Sequence, residues 1–467
     1  MLFTSMIFIW IFLPIVLVGN FLLQKAGGNK AANILLVIAS IFFYAWGEPI
    51  YVLLMIFSIF INWFAGYMLS KTERHKKTIL ILAIVVNLAL IGFFKYAGMI
   101  VATVNQLTGA SFPMPEIALP IGISFFTFQA LSYVVDVYRK ECRPQKNVLK
   151  VALYVSFFPQ LIAGPIVKYK DIEEQIDTRT VSACQVAQGI RRFAYGFAKK
   201  ILISNILASV ADTIYALDLT EVTCPMAWIA SLMYTFQIYY DFSGYSDMAI
   251  GLGKMFGFEF KENFNYPYIS LSIREFWRRW HISLSSWFRD YVYIPLGGSR
   301  RGKLLTYKNL LVVFFLTGLW HGASWNFVFW GLFHGVFIII ERIGFNKFLK
   351  KHKIFSWIYT FFLANIGWVF FKLENIQDAF AHIGRMFQPW SDIQGAHVLR
   401  EYVNLHTVFI FICAVVGMGL IQKLGKTGLA RKWKYSVPEI VFCAFLIILS
   451  LASLASNTYN PFIYFRF

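Results

Sequence analysis

A histidine within an apolar stretch is the residue of this sequence best suited to do chemistry. His321 lies in LTGLWHGASWNFVFWGLFHG. A helix that starts at Lys308 and reaches Trp320 rises about 18 Å, which puts the histidine deep in an apolar layer. Ionisable groups at that depth are costly and therefore often functional, and a buried neutral imidazole can act as a general base. The alternative is a packing histidine bonded to a neighbouring carbonyl.

The residues around His321 give weaker signals. The small residues Gly318 and Gly322 leave room for a close approach of backbone or substrate. Trp320 and Asn326 are candidates for substrate contact. His334 lies thirteen residues after His321 and is predicted to point to nearly the opposite helix face, so the two histidines should not act as a pair.

A second candidate site is the stretch REFWRRWHISLSSWFRDYVYIPLGGSR, residues 274–300. If it is one helix, six large apolar residues form a stripe: Ile273, Phe276, Trp277, Trp280, Leu284 and Trp287. Another face carries Arg274, Arg278, His281 and Ser285, and Arg279 lies beside it. One interpretation is an amphipathic helix at the membrane surface, with arginines on lipid phosphates. The other is that these arginines hold an anionic acyl donor, such as the phosphates of a coenzyme A.

The third candidate stretch is QIYYDFSGYSDMAIGLGKMFGF, residues 237–258. Asp241 and Asp247 lie in or beside a hydrophobic span and need partners, which we expect to be arginines of the following segment. Their spacing places them far apart around a helix, so a pair of catalytic carboxylates is not indicated. Ser243 and Tyr245 are weaker candidates for substrate contact. No stretch has metal-ligand spacing, so we predict no metal.

The composition is that of an integral membrane protein. Of 467 residues, 58% are hydrophobic and 14% charged, whereas soluble domains carry about 25% charged residues. The net charge of +19 suits basic cytoplasmic loops better than nucleic-acid binding. The five cysteines have no redox or metal spacing.

The apolar runs predict an all-α polytopic protein with 11–12 membrane helices. The candidate spans are 3–23, 32–47, 50–69, 78–98, 117–137, 186–210, 226–250, 305–320, 324–341, 354–371, 406–422 and 437–455. Residues 151–167 are predicted to be a broken, re-entrant segment, and residues 259–304 to lie at the interface. Alternating basic loops predict that both termini are extracytoplasmic.

Several motifs, in the same order, give the chain a resemblance to the membrane-bound O-acyltransferase family. It is most similar to the bacterial branch that contains the alginate O-acetyltransferase membrane subunit and the peptidoglycan O-acetyltransferases. Besides the three stretches above, the matching motifs are MLFTSMIFIWIFLPIVL, FYAWGEP, LPIGISFFTFQALSYVVDVYR, FFPQLIAGPIVKY and the ending NPFIYFRF.

The resemblance implies a ring of tilted helices around a central funnel, with His321 as the essential histidine. It implies that His281 fills the second catalytic position, where many eukaryotic members carry Asn or Asp, and that it steadies the donor carbonyl or orients the site. We expect one membrane-embedded domain, with N-terminal spans in 1–140, the core in 141–345 and C-terminal spans in 346–467. The donor is expected to enter from the cytoplasm and the acceptor from outside.

These observations predict an O-acyltransferase of the bacterial cytoplasmic membrane. It would move an acyl group, acetyl by preference, from acetyl-CoA or an acyl-carrier-protein thioester to a hydroxyl of an envelope polymer or exopolysaccharide. The resemblance implies an extracytoplasmic esterase-like partner, and no bound cofactor is expected. One alternative is D-alanyl transfer to teichoic acid from a carrier protein. An alternative of another class is an export or flippase subunit of a polysaccharide machine.

Overall fold

The computed structural model describes residues 1–162, 164–388, 399–419, 433–456 and 463, and within these ranges every regular element is a helix. The chain forms two compact units. The first contains Met1–Phe193 and Ser246–Lys261, and the second contains Ala194–Tyr245 and the described residues of Glu262–Phe467. The division into parts at 1–140, 141–345 and 346–467 stays a prediction.

The first unit is built from the N-terminal helices. They are α1 (Leu13–Ala45), α2 (Val52–Lys71), α3 (Lys76–Ile91), α4 (Ala97–Thr108), α5 (Ile123–Tyr138), α6 (Val148–Ser156), α7 (Phe158–Leu161), α8 (Tyr169–Thr178) and most of α9 (Ala183–Ala198). A π-helical turn, Phe8–Phe12, precedes α1, and another, Gly92–Tyr96, joins α3 to α4.

The second unit holds the remaining helices. They are α10 (Asn205–Tyr215), most of α11 (Cys224–Met255), α12 (Ile273–Arg279), α13 (Ile282–Phe288), α14 (Lys303–His321), α15 (Trp325–Ile340), α16 (Asn346–Lys351), α17 (Lys353–Lys372), α18 (Ile376–Met386), α19 (Leu405–Gly417) and α20 (Val437–Ser456). π-Helical turns lie at Lys199–Ser204, Arg289–Tyr293 and Glu341–Phe345, with 3-10 turns at Pro267–Ile269 and Leu399–Glu401.

All twelve predicted spans overlap a helix, which confirms an all-α polytopic membrane protein. By length and composition, eight helical stretches of the described chain can cross a membrane, and Ile123–Tyr138 and Leu405–Gly417 are shorter apolar helices. The count differs from twelve partly because the first two predicted spans form one helical stretch, Phe8–Ala45, with a kink at Gly28.

Gly28 turns that stretch back on itself. Its φ of 66° lies in the left-handed region that glycine tolerates best. The rings of Phe12 and Phe42 have centroids 6.4 Å apart, although a straight helix would separate residues thirty positions apart by about 45 Å. The two predicted spans are therefore the arms of a helical hairpin.

The segment predicted to be broken is broken and buried. α6 ends at Ser156, and α7 begins after Phe157, whose ψ of 110° is not helical. Pro159 lies in the first turn of α7, where its missing N–H costs no hydrogen bond. Except for Ala163, which lies outside the described residues, residues 151–167 are buried. The chain thus breaks beside Pro159, as the sequence predicted.

Helices α14 and α15 form the hairpin that carries His321, and glycines bring them together. A Cβ on Gly318 would overlap the backbone carbonyl of Phe327, and one on Gly331 would overlap that of Phe314. Close backbone approach of this kind is typical of membrane helix pairs. Of the two predicted uses of Gly318, backbone approach is the one that the structure has.

Candidate functional site

His321 is the last residue of α14 and is 1% exposed. Three aromatic rings surround its imidazole, each nearly perpendicular to it. The centroid distances are 5.0 Å to Trp320, 5.0 Å to Trp330 and 5.2 Å to Phe371. His321 therefore lies in a dry, aromatic environment.

The segment with the second histidine departs from the sequence prediction. Residues 273–288 are not one helix: α12 ends at Arg279 and α13 begins at Ile282. His281, between them, has φ 42° and ψ 56° in the left-handed region. The six residues of the predicted apolar stripe are nevertheless all buried, but His281 is buried too, at 0% exposed, instead of sharing a face with the arginines.

Asn263 and Asn265 cause this break, because they take hydrogen bonds that a continuous helix would make for itself. The backbone N–H of Asn265 donates to the carbonyl of Arg279, and that of Ile282 donates to the carbonyl of Asn263, each at 2.9 Å. These partners come from fourteen to nineteen residues earlier in the chain, so no periodicity of the helix itself could reveal them.

The side chain of Asn263 also fixes which nitrogen of His281 carries the proton. Its Oδ1 accepts the backbone N–H of Ser283 at 3.1 Å and the Ser283 hydroxyl at 2.9 Å. A backbone N–H is a donor only, so the atom facing it is the amide oxygen. His281 Nδ1, 3.2 Å from the same oxygen, must then be protonated, and Nε2 carries the lone pair.

Burial keeps His281 neutral. The ring of Phe242 lies edge-on to the imidazole at 4.5 Å between centroids. Removal from water lowers the pKa of His281 from 6.5 to about 3, because it disfavours the charged form. At pH 7 this imidazole can accept a hydrogen bond or a proton at Nε2 but cannot donate from that atom.

Trp320 lies between the two histidines. Its ring centroid is 6.0 Å from that of His281 and 5.0 Å from that of His321, so the two imidazole centroids are at most 11.0 Å apart. Both predicted catalytic residues therefore belong to one buried aromatic cluster, and Trp320 is a member of it. Their catalytic roles stay predictions.

A cavity of about 490 Å³ opens beside this cluster and has two kinds of wall. Five cations line one part: Arg274, Arg278, Arg289, Arg342 and Lys347. The rest is mainly apolar and includes Trp277, Phe314 and Thr317, the last of which precedes His321 by one helical turn. Ser285 also lines the cavity, so the structure brings Arg274, Arg278 and Ser285 together.

Arg279 is placed differently from the other predicted donor-binding residues. Its guanidinium pairs with Glu275, at 2.8 Å between Nη2 and Oε1, and its Nη1 donates to the carbonyl of Asn265 at 3.1 Å. It does not line the cavity. The reason is that α12 turns this side chain toward the segment that interrupts the helix.

Glu341 is a residue of this site that the sequence analysis missed. It is 2% exposed, and its two oxygens accept the backbone N–H groups of Ile273 at 2.6 Å and Arg274 at 3.1 Å. These are orphan donors at the start of α12, which carries Arg274 and Arg278. A carboxylate inside a predicted span could have been recognised as a candidate from the sequence. No spacing, however, related Glu341 to the start of α12.

If Arg274 and Arg278 hold the acyl donor, as the sequence predicts, replacing Glu341 by alanine should raise the KM for that donor about tenfold, with a smaller change in kcat, because α12 loses the carboxylate that holds its first turn. Glu341→Gln keeps one acceptor oxygen and should fall between alanine and the wild type. Steady-state kinetics with varied donor measures both. A lower kcat at unchanged KM would contradict this role.

Removal of the Asn263 amide is expected to lower kcat by about tenfold to a hundredfold and to destabilise the fold by about 1–3 kcal/mol, because three donors lose their acceptor. Asn263→Asp keeps an oxygen there and should retain more turnover than Asn263→Ala. Kinetics and thermal unfolding of both variants check this. Equal turnover of Asn263→Ala and wild type would show that His281 needs no such support.

The two aspartates of α11 find partners in the preceding helical segment, not in the following one as the sequence analysis predicted. Asp241 forms an ion pair with Lys200 in which both side chains are at most 1% exposed, and its Oδ2 accepts the N–H of Ile463 at 3.2 Å. Asp247 pairs with Arg192 at 2.6 Å. Of the arginines of the following segment, Arg274, Arg278 and Arg289 line the cavity, and Arg279 pairs with Glu275.

The remaining candidates are buried away from the cavity. Ser243 and Tyr245 on α11 are 3% and 1% exposed, and the Ser243 hydroxyl has no hydrogen-bond partner among the described residues. Asn326 donates to the carbonyls of Phe370 and Leu373 at the end of α17, which is a helix-capping arrangement. A substrate role for these three residues stays a prediction.

The prediction about His334 assumed one continuous helix from His321 to His334, and this assumption is wrong. The helix ends at His321 and a new one begins at Trp325, so the two histidines lie on separate helices. Both pack edge-on against Trp330, at 5.0 Å for His321 and 5.3 Å for His334. The indole separates them.

In the described part of the chain, no group of three or more His, Cys, Asp or Glu side chains is arranged to hold a metal ion. That the protein binds no metal ion stays a prediction.

Comparison with known proteins identifies the family. The model of MBOAT, the membrane-bound O-acyltransferase family, matches residues 139–376, just over half of the chain, and these include both catalytic candidates and the cavity. The chain belongs to the membrane-bound O-acyltransferase family. It is therefore a multi-pass membrane O-acyltransferase, and the alternative of an export subunit is not supported.

Individual relatives agree with this assignment. The probable alginate O-acetylase AlgI of Pseudomonas aeruginosa is 45% identical over 430 residues, 90% of this chain and 82% of that protein. A peptidoglycan O-acetyltransferase of Helicobacter pylori is 35% identical over 485 residues, covering 96% and 89%. A teichoic acid D-alanyltransferase of Bacillus subtilis is 30% identical over 247 residues, covering 50% and 61%.

Proposed function

We propose that this enzyme takes an acetyl group from acetyl-CoA on the cytoplasmic side and transfers it to a hydroxyl of an envelope polymer or exopolysaccharide. The observation that carries the proposal is the cavity, whose cationic part suits a phosphorylated donor and whose apolar part reaches Thr317, one turn from His321.

The charges of the cavity favour coenzyme A over a carrier protein as donor. Arg274, Arg278, Arg342 and Lys347 form no ion pair with another described residue, and Arg289 pairs only with Asp290. The one lining carboxylate, Glu341, already accepts two backbone N–H groups. Coenzyme A presents a diphosphate and a ribose phosphate, whereas a carrier-bound phosphopantetheine presents a single phosphodiester. Several arginines suit the first.

In the proposed reaction, His321 removes the proton from the acceptor hydroxyl, and the oxygen attacks the thioester carbonyl. The resulting tetrahedral intermediate expels the thiolate of coenzyme A, which takes up the proton. His281 accepts a hydrogen bond at Nε2, because its Nδ1 proton is committed to Asn263. The attacking hydroxyl has a single proton, which goes to His321, so we assign His281 to orienting the acceptor through a neighbouring hydroxyl of the sugar instead of steadying the donor carbonyl.

The acceptor and location rest on the relatives and the loop charges. Relatives named for alginate and peptidoglycan O-acetylation match over most of this chain, whereas the D-alanyltransferase matches half of it. Those names support a polymer hydroxyl, reached directly or through an extracytoplasmic esterase-like partner. The basic loops support a bacterial cytoplasmic membrane with both termini outside and the donor entering from the cytoplasm.

The test uses purified protein in nanodiscs with radiolabelled acetyl-CoA and a short oligosaccharide acceptor. Acceptor-dependent release of coenzyme A with labelling of the sugar is expected. D-alanyl carrier protein is offered in parallel. Turnover with that donor alone would replace acetyl-CoA by the carrier protein and favour teichoic acid as acceptor. Turnover with neither donor would refute the proposal.

A further inference from the structure

Two indoles in contact with each other lie between the donor cavity and His321. Trp277 lines the cavity, and its ring centroid is 5.5 Å from that of Trp330, which in turn contacts His321 at 5.0 Å. Neither Trp330 nor His321 lines the cavity. A donor that fills the cavity as it stands therefore ends one indole short of the general base.

The other route from the cavity to His321, along α14, is also narrow. Thr317 lines the cavity and lies about 6 Å below His321 along the helix axis. Phe314, one turn earlier, packs edge-on against Trp277 with centroids 5.5 Å apart. The acyl carbons must pass between this pair and Trp330, so the position of the Trp277 indole sets the space that they have.

The indole of Trp277 can rotate without losing a hydrogen bond. It is 7% exposed, and its Nε1 is buried with no hydrogen-bond acceptor among the described residues. A buried N–H without an acceptor is unfavourable, so rotating this ring breaks no hydrogen bond. The carbonyl oxygen of an entering thioester is an acceptor of the kind that it lacks.

We propose that Trp277 selects short acyl groups: its indole closes the inner end of the donor cavity at rest, and its rotation opens space beside Trp330 for an acetyl group but not for longer chains. The proposal rests on the function proposed above and specifies its donor class. Trp277 limits the size of the acyl group and plays no part in recognising the coenzyme A phosphates, which the cationic part of the cavity contacts.

The experiment measures kcat/KM for acetyl-, propionyl-, butyryl- and hexanoyl-CoA in nanodiscs. Wild type is expected to lose about tenfold or more for each added methylene. Trp277→Ala should reduce the preference for acetyl over butyryl by at least about tenfold, and Trp277→Phe, which keeps a smaller ring, should reduce it less. Trp228→Ala, which removes an indole that is bonded to Met386 and does not line the cavity, should keep the wild-type preference.

The possible failures are distinguishable. If Trp277→Ala does not fold, Trp277→Leu and Trp277→Phe carry the comparison. An unchanged acetyl-to-butyryl ratio in folded, active Trp277 variants would overturn the assignment to this residue and leave the proposed function intact. An equal change of that ratio in Trp228→Ala would overturn it as well. A wild type that consumes none of the thioesters would overturn both.

Discussion

Replacing His321 by alanine is expected to lower kcat about a thousandfold, with a small change in the KM for the donor. Among the described rings that pack around it, the imidazole is the only ionisable group, and the cavity that we propose binds the donor ends one helical turn before it. Loss of a general base affects the transition state and not the donor's ground state, so the effect belongs in kcat. Radiolabel transfer at saturating and limiting acetyl-CoA measures both constants.

His382→Ala is a matched control for the loss of a buried imidazole. His382 is 4% exposed on α18 and stacks on Tyr215, with centroids 4.6 Å apart, but it has no contact with the cavity or with His321. Its loss should cost stability through packing and leave the chemical step in place. Comparable turnover of His321→Ala and His382→Ala, with both folded, would exclude His321 as the base.

Breaking the Lys200–Asp241 ion pair should have the largest effect on stability. Because both side chains are buried, Asp241→Ala removes this carboxylate from the buried Lys200 ammonium and is expected to lower the free energy of unfolding by about 3–5 kcal/mol. The double variant Lys200→Met with Asp241→Leu removes both charges and should recover much of that loss. Unfolding in detergent, followed by tryptophan fluorescence, provides the measurement.

Asp247→Ala is the comparison within the same helix. Its partner Arg192 has a 32% exposed side chain, so water can replace part of that interaction and the loss should be about 1 kcal/mol or less. If Asp241→Ala were as stable as wild type yet inactive, Asp241 would have a role in the reaction and not in stabilising the fold. Activity restored in the double variant would place it in the fold.

Much of the fold could be predicted from the sequence because it depends on local patterns. Apolar runs of the right length predicted where the helices lie, and Pro159 predicted the break after α6. The helix that leads to His321 followed from its apolar run, whereas the depth of His321 in the membrane stays a prediction. These features are properties of consecutive residues, so a single sequence contains them.

The errors came from interactions between distant parts of the chain. Asn263 and Asn265 interrupt the helix at His281, Lys200 neutralises Asp241, and Glu341 anchors the start of α12. Each partner lies fourteen to sixty-eight residues away from the residue it affects, and no helical period relates the two. The family resemblance pointed to His281, but the orientation of its ring needed the structure.

The left-handed backbone at His281 limits which amino acids can replace it during evolution. Its φ of 42° is uncommon for any residue with a side chain, and Asn, Asp and His tolerate this region better than most. Asn and Asp are the residues expected here in many eukaryotic members of the family. The backbone conformation, as well as the chemistry, thus restricts which amino acids are accepted at this position. One of these polar side chains could replace another in evolution without a change in the turn.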